Sequence, residues 1–355
     1  MLDLANSNRW WRKRVEPLFS SSSSGVSALE ILLNFGWVVF GLVLLYFGAE
    51  WLVKGSASVA LKLGVPPLVV GLTVVAFGTS APELLVCLQA NFSQGGGDIA
   101  IGNIVGSNIC NILMVLGASA MVFPLVIHEQ IIRREMNILL GASVIFIAML
   151  YGGVLGRIEG VILFIGILVY VVFSIVDVRR TPSTEDDGDL DEVLSPEEIE
   201  AAQKGGMKNI AKDLALIVVG IAFLMLGANR LVTGGEQLAL MLSVPKAIIA
   251  LSLFAFGTSL PELATGIMAS WQKEGDIVVG NAVGSCIFNL LAVGGVTATV
   301  SPVKIVDVSW ADMFMMLLTV VLSMILMRTQ RSISRIEGAV MLAIYLGYSV
   351  YMFVR

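Results

Sequence analysis

Ten apolar segments, at about 30–53, 66–92, 98–122, 135–154, 158–177, 212–233, 245–271, 276–299, 308–327 and 336–354, leave this chain few choices of fold. Each is near the ~20 residues that a helix needs to cross a bilayer. Within hydrocarbon a segment must satisfy its own backbone N–H and C=O groups, which a helix does and an isolated strand does not. The reading is an all-α polytopic membrane protein with ten transmembrane helices. Composition agrees, with 57% hydrophobic and 14% charged residues, where soluble domains carry about 25% charged. The 36 glycines fit as well, because small residues let membrane helices approach closely.

Residues 1–28 form a polar N-terminal tail, with a basic and aromatic cluster from Arg9 to Arg14, serines from Ser20 to Ser24, and no signal-peptide layout. The stretch 178–211 is too polar to span and divides the apolar segments five and five. Two five-helix units, 29–177 and 212–355, therefore flank an acidic linker with a run from Glu185 to Glu192. Within it, Ser195-Pro196-Glu197-Glu198 has the form of a capping box and predicts a short surface helix. The acidic run lacks the EF-hand ligand spacing, so it reads as a solvated linker.

Lysine and arginine placement orients the chain. Thirteen of them, among them Lys54, Lys62, Arg133 and Arg331, fall on the linker's side, against five, among them Arg157 and Lys304, on the other. The linker is then cytoplasmic and both termini extracytoplasmic, although the basic tail argues the other way. A multi-pass protein of the cell's inner membrane is the expectation. Cys87, Cys110 and Cys286 lie in apolar runs without metal-ligand spacing and read as packing residues. His128, the chain's one histidine, falls in a loop and reads as solvated. No basic patch interleaved with aromatics points to nucleic acid.

One octet breaks the apolar pattern twice. Ala76-Phe77-Gly78-Thr79-Ser80-Ala81-Pro82-Glu83 returns as Ala255-Phe256-Gly257-Thr258-Ser259-Leu260-Pro261-Glu262. A shift of 179 residues matches nine of thirteen positions between Leu72–Leu84 and Leu251–Leu263. A carboxylate at bilayer depth persists only where it faces protein, water or a cation. Proline lacks an N–H and clashes with the preceding turn, so helices 2 and 7 should be interrupted there. Carbonyls freed beside a carboxylate and two hydroxyls make a donor set for a hard cation such as calcium.

The next helix repeats too, with a shift of 178: Gly102-Asn103-Ile104-Val105-Gly106-Ser107-Asn108-Ile109-Cys110-Asn111 on Gly280-Asn281-Ala282-Val283-Gly284-Ser285-Cys286-Ile287-Phe288-Asn289. Asn103, Ser107 and Asn111 lie on one helix face, as do Asn281, Ser285 and Asn289. One such residue alone reads as an interhelical hydrogen bond; two matched stripes read as an ion site. An odd number of helices per half puts the second half upside down, the inverted-repeat layout of secondary transporters.

These motifs resemble the alpha repeats of the cation/calcium exchanger superfamily, most closely its sodium/calcium exchanger branch, over about Glu50–Leu116 and Asn229–Val293. The resemblance implies alternating access around a central cluster of cation sites, and no enzymatic activity. It implies Glu83 and Glu262 as calcium ligands shared in turn with sodium, and Thr79 and Thr258 as donors of carbonyls and hydroxyls. Ser80, Ser259, Ser107 and Ser285 would line sodium sites with carbonyls of Ala76 and Ala255, and Asn111 and Asn289 would sit between the glutamates. The partners are then Ca2+ and Na+ as transported ions and the bilayer, with no covalent cofactor.

Two departures bear on coupling. Asn289 stands where potassium-dependent relatives carry Asp, which argues against potassium co-transport. Val105 and Gly106, with Val283 and Gly284, stand where proton-coupled relatives carry an acid. Three other readings stay in view: a calcium/proton or other cation antiporter on this scaffold, a passive channel, and an intramembrane hydrolase using Ser80 or Ser259. The hydrolase needs a base in reach, no histidine lies in a segment, and it leaves the duplication unexplained.

Overall fold

The computed structural model describes residues 28–63, 67–92, 96–180, 210–241, 257–305, 309–328 and 331–354. The N-terminal tail, the linker with its capping box, and the stretch from 245 to 256 that should open the seventh segment lie outside the described residues. The rest is helical, apart from four two-residue strands.

Helix α1 (Ala28–Leu63) is longer than the expected 30–53. Charge suggested an end at Lys54, but Lys54 pairs with Glu50 one turn back at 3.1 Å. The second span is built in pieces: α2 (Pro67–Val70), a π-helical turn at Gly71–Val75, α3 (Ala76–Thr79), then α4 (Ala81–Asn91). Ser80, at φ −82° and ψ 2°, is the break, with Pro82 in the first turn of α4. The physical reason is the one the sequence supplies: without a proline N–H, the Gly78 carbonyl has no helical donor four residues on.

The third span runs α5 (Gly96–Cys110), a π turn at Asn111–Val115, and α6 (Leu116–Val122). Strand β1 (Leu125–Val126), a π turn at Ile131–Glu135, α7 (Met136–Met149), β2 (Val154–Leu155) and α8 (Arg157–Arg180) follow. Helix α9 (Ile210–Met241) exceeds the expected 212–233. Ser259, at φ −90° and ψ 6°, then precedes α10 (Leu260–Trp271), which has Pro261 in its first turn. The chain closes with α11 (Gly275–Phe288), a π turn at Asn289–Val293, α12 (Gly294–Val300), β3 (Val303–Lys304), α13 (Trp310–Arg328), β4 (Ser332–Ile333) and α14 (Arg335–Val354). Among the described residues, seven helices are long and apolar enough to cross a membrane.

The halves interlock reciprocally. Strand β1 pairs with β4 and β2 with β3, both antiparallel. A shift of 178 lays Leu125 on Val303 and Val154 on Ser332, so each strand pairs with the counterpart of the other. Glycines obey the same rule. A Cβ on Gly117 would lie 2.8 Å from the Gly338 carbonyl, and one on Gly160 would lie 2.8 Å from the Gly295 carbonyl. In hydrocarbon, helix association depends on such close backbone approach rather than on excluding water. The same contact seats α11 on the second span, where Cβ atoms on Gly280 and Gly284 would stand 2.8 Å from the carbonyls of Leu68 and Leu72. For Gly102 and Gly106, no described residue comes within 4 Å.

Candidate ion-binding site

Glu83 and Glu262 each fall in the first turn of the helix after a break, and both side chains are fully buried. They face each other closely enough to repel when both are ionised. Neither has an ion-pair partner among the described residues. Among the described residues, Glu83 Oε1 accepts a hydrogen bond from Ser107 Oγ at 3.4 Å, while Glu83 Oε2 and both oxygens of Glu262 have no partner. The hydroxyls of Ser107 and Thr258 lie against Glu83, and those of Thr79, Ser285 and Ser80 against Glu262. Each glutamate therefore meets hydroxyls from both halves of the chain.

The two breaks place their threonines inward. Thr79, 1% exposed, donates to the Val75 carbonyl at 3.1 Å and lies 3.1 Å from Asn281 Oδ1 and 3.4 Å from Ser285 Oγ, both on α11. Thr258 lies 3.4 Å from Asn103 Oδ1 on α5. Each threonine reaches the polar stripe of the opposite half. Ser80 and Ser259 hold the breaks themselves, and their buried hydroxyls have no partner. Asn111 and Asn289 open the π turns of their spans, fully buried, with both amide atoms unpaired. The Ala76 carbonyl accepts the Ser80 N–H at 3.0 Å, closing the last turn before the break. Ala255 lies outside the described residues.

Buried polar atoms are almost always hydrogen-bonded, because leaving one unpaired costs roughly 1–3 kcal/mol. So many orphaned oxygens in one place need a common partner. Carboxylates, hydroxyls and amide carbonyls are the donor set of a hard cation. The residues present fit such an ion.

Two residues outside the expected ligand set belong beside it. Asn281 and Asn103 hold the two threonines; their membership in the polar stripes was the available signal. Cys286 packs where Asn108 stands in the first half, and the two meet: Asn108 Nδ2 donates to the Cys286 carbonyl at 3.3 Å. His128 is half exposed, and its Nε2 lies 3.2 Å from Asp276 Oδ1, so it has an acidic neighbour as well as solvent.

Multi-pass helices closed around such a site define a membrane transporter for cations. Residues 33–176 and 212–354 match the family described as sodium/calcium exchanger protein, and the chain belongs to that family, whose members are antiporters and not enzymes. It is 33% identical over 304 residues to the inner membrane protein YrbG of Escherichia coli, covering 85% of this chain and 90% of that protein. It is 30% identical over 349 residues to the sodium/calcium exchanger MaX1 of Methanosarcina acetivorans, covering 91% and 99%. A solved structure of the sodium-calcium exchanger NCX_Mj, soaked with zero Na+ and Ca2+, superposes with a TM-score of 0.74 at 28% identity, over 89% of this chain and 97% of that one. A second, soaked with 10 mM Na+ and 10 mM Sr2+, gives 0.73 at the same identity and coverage.

Proposed function

We propose that this protein exchanges sodium for calcium across a cell's inner membrane by alternating access, with both ions taking turns on Glu83 and Glu262. The observation that carries this reading is the pair of buried carboxylates with unpartnered oxygens, supplied one from each half. The names of MaX1 and NCX_Mj support sodium as the counter-ion. Thr79, Thr258, Ser80, Ser259, Ser107, Ser285, Asn111, Asn289 and the carbonyls of Ala76 and Ala255 complete the ligand set.

The scaffold we propose has ten spans in two inverted five-helix repeats, 29–177 and 212–355, after a tail at 1–28. The acidic linker 178–211 is cytoplasmic and both termini extracytoplasmic. The reciprocal strand pairs support it, since β1 and β4 belong to loops on one side of this layout, and β2 and β3 to loops on the other.

Coupling follows from charge. Two ionised carboxylates in a low-dielectric site are costly unless compensated. One calcium cancels their charge, and sodium ions do so together with the neutral oxygens. Only the compensated cluster lets the helices around it rearrange, so an empty carrier stays put. Calcium uptake into proteoliposomes, with sodium, potassium and proton gradients imposed one at a time, tests this. Uptake should follow the sodium gradient alone. Uptake driven by protons without sodium overturns sodium coupling, and flux that needs no counter-ion makes the protein a channel.

A further inference from the structure

The two halves of the site are not equivalent, and the difference begins at Cys87. This thiol stands one helical turn after Glu83 on α4, on the same face and equally buried. Its Sγ donates to the Ala100 carbonyl at 3.4 Å, which commits the thiol proton to backbone. The sulfur then accepts from Asn103 Nδ2, also at 3.4 Å. An amide anchored by its nitrogen turns its oxygen the other way, and Asn103 Oδ1 takes the proton of Thr258 Oγ1 at 3.4 Å. A hydroxyl can ligate a cation only through its lone pairs, so its proton must be drawn elsewhere. Asn103 Oδ1 draws it, which frees the Thr258 lone pairs for a cation.

The matching position in the second half is Gly266, which carries no acceptor. Among the described residues Asn281 Nδ2 is accordingly buried without a partner, and Asn281 Oδ1, 3.1 Å from Thr79 Oγ1, competes for that hydroxyl's proton with the Val75 carbonyl at the same distance. The space beside Gly266 is filled by Ser119, whose Oγ would stand 2.8 Å from an added Cβ. No side chain can take up the Cys87 role there without displacing its neighbour.

We infer that Cys87 is a positioning residue for cation binding: through Asn103 it fixes the direction of the Thr258 hydroxyl, an anchor that the second half lacks. The inference rests on the exchange reading above. Its test is the half-saturating concentration for calcium and for sodium, set against maximal rate, in proteoliposomes holding the full chain. A second measure is calcium binding to the purified protein.

Cys87→Ala removes the acceptor and should raise half-saturation by about three- to tenfold, the range for one lost hydrogen bond, with maximal rate within about twofold. Cys87→Ser, which keeps an acceptor, should restore most of the loss. Cys87→Val, which keeps volume but offers no acceptor, should behave as alanine does and stands in if that variant does not fold. Equal half-saturation in the wild type, the valine variant and the serine variant overturns the inference. So does a loss of maximal rate shared by all three variants, which marks packing alone. If the wild type neither binds nor carries calcium, it is the exchange reading that fails.

Discussion

The outer pair α1 and α9 and the span opened by the central helix α11 are all apolar enough to cross a membrane, yet they differ in what surrounds them. In the most apolar stretch of the span Gly275–Val300, which α11 opens, 94% of the residues are buried, whereas in α1 and α9 the shares are 22% and 28%. The central helix carries Asn281 and Ser285 of one polar stripe, both against Thr79. The outer pair meets itself through glycines: a Cβ on Gly41 would lie 2.8 Å from the Gly227 carbonyl, and one on Gly48 would lie 2.9 Å from the Gly220 carbonyl. At one end the pair is also fastened by a buried ion pair between Lys62 and Asp213. The difference teaches a division of labour: the centre gathers directional oxygens, while the outer pair holds together through smooth contact and one charge pair. At the breaks it meets the site, where Ile221 lies against Gly78 and Val232 against Gly257.

The sharpest way to break this comparison is to remove charge at the centre. Glu83→Gln or Glu262→Gln should abolish sodium-driven calcium uptake while leaving thermal stability in detergent near that of the wild type; undiminished uptake removes the centre from the mechanism. Next comes Lys62→Met, which strands Asp213 in a buried site. Breaking a buried pair from one side costs about 3–5 kcal/mol, so the melting temperature should fall steeply, and Lys62→Met with Asp213→Leu should recover much of it. Smaller again is Gly48→Val, which overpacks the outer seam by about 1–3 kcal/mol and should lower stability without moving half-saturation for calcium. If half-saturation shifts as much as stability, seam and site are not separate. Least of all is Glu50→Gln: its pair with Lys54 is partly exposed and worth about 0–1 kcal/mol, so neither uptake nor melting should change measurably.

The site was legible to the extent that it is duplicated. Glu83, Thr79 and Ser80 stand out because Glu262, Thr258 and Ser259 repeat them at fixed spacing, and proline announces the break by covalent chemistry alone. Helix ends were less legible. Lys54 and Lys62 look like stops, yet one has an acid a turn away and the other finds Asp213 only across the pair. The π turns that begin at Asn111 and Asn289 leave no mark in composition, because the extra residue per turn is absorbed by packing. The link from Cys87 to Thr258 was invisible: its members are read as a packing thiol, a stripe residue and a ligand until the fold brings three helices together.

From the sequence alone came the membrane environment, the broken helices and the chemical kind of ligand, because hydrophobicity, proline and oxygen donors are properties of individual residues and their spacing. Which oxygens remain unpaired, which half lends a hydroxyl to which glutamate, and why Asn103 is anchored while Asn281 is not were decided only in three dimensions. Those are relations between atoms on different helices, from 16 to more than a hundred residues apart, and such hydrogen bonds exist only once the backbones have been set against each other.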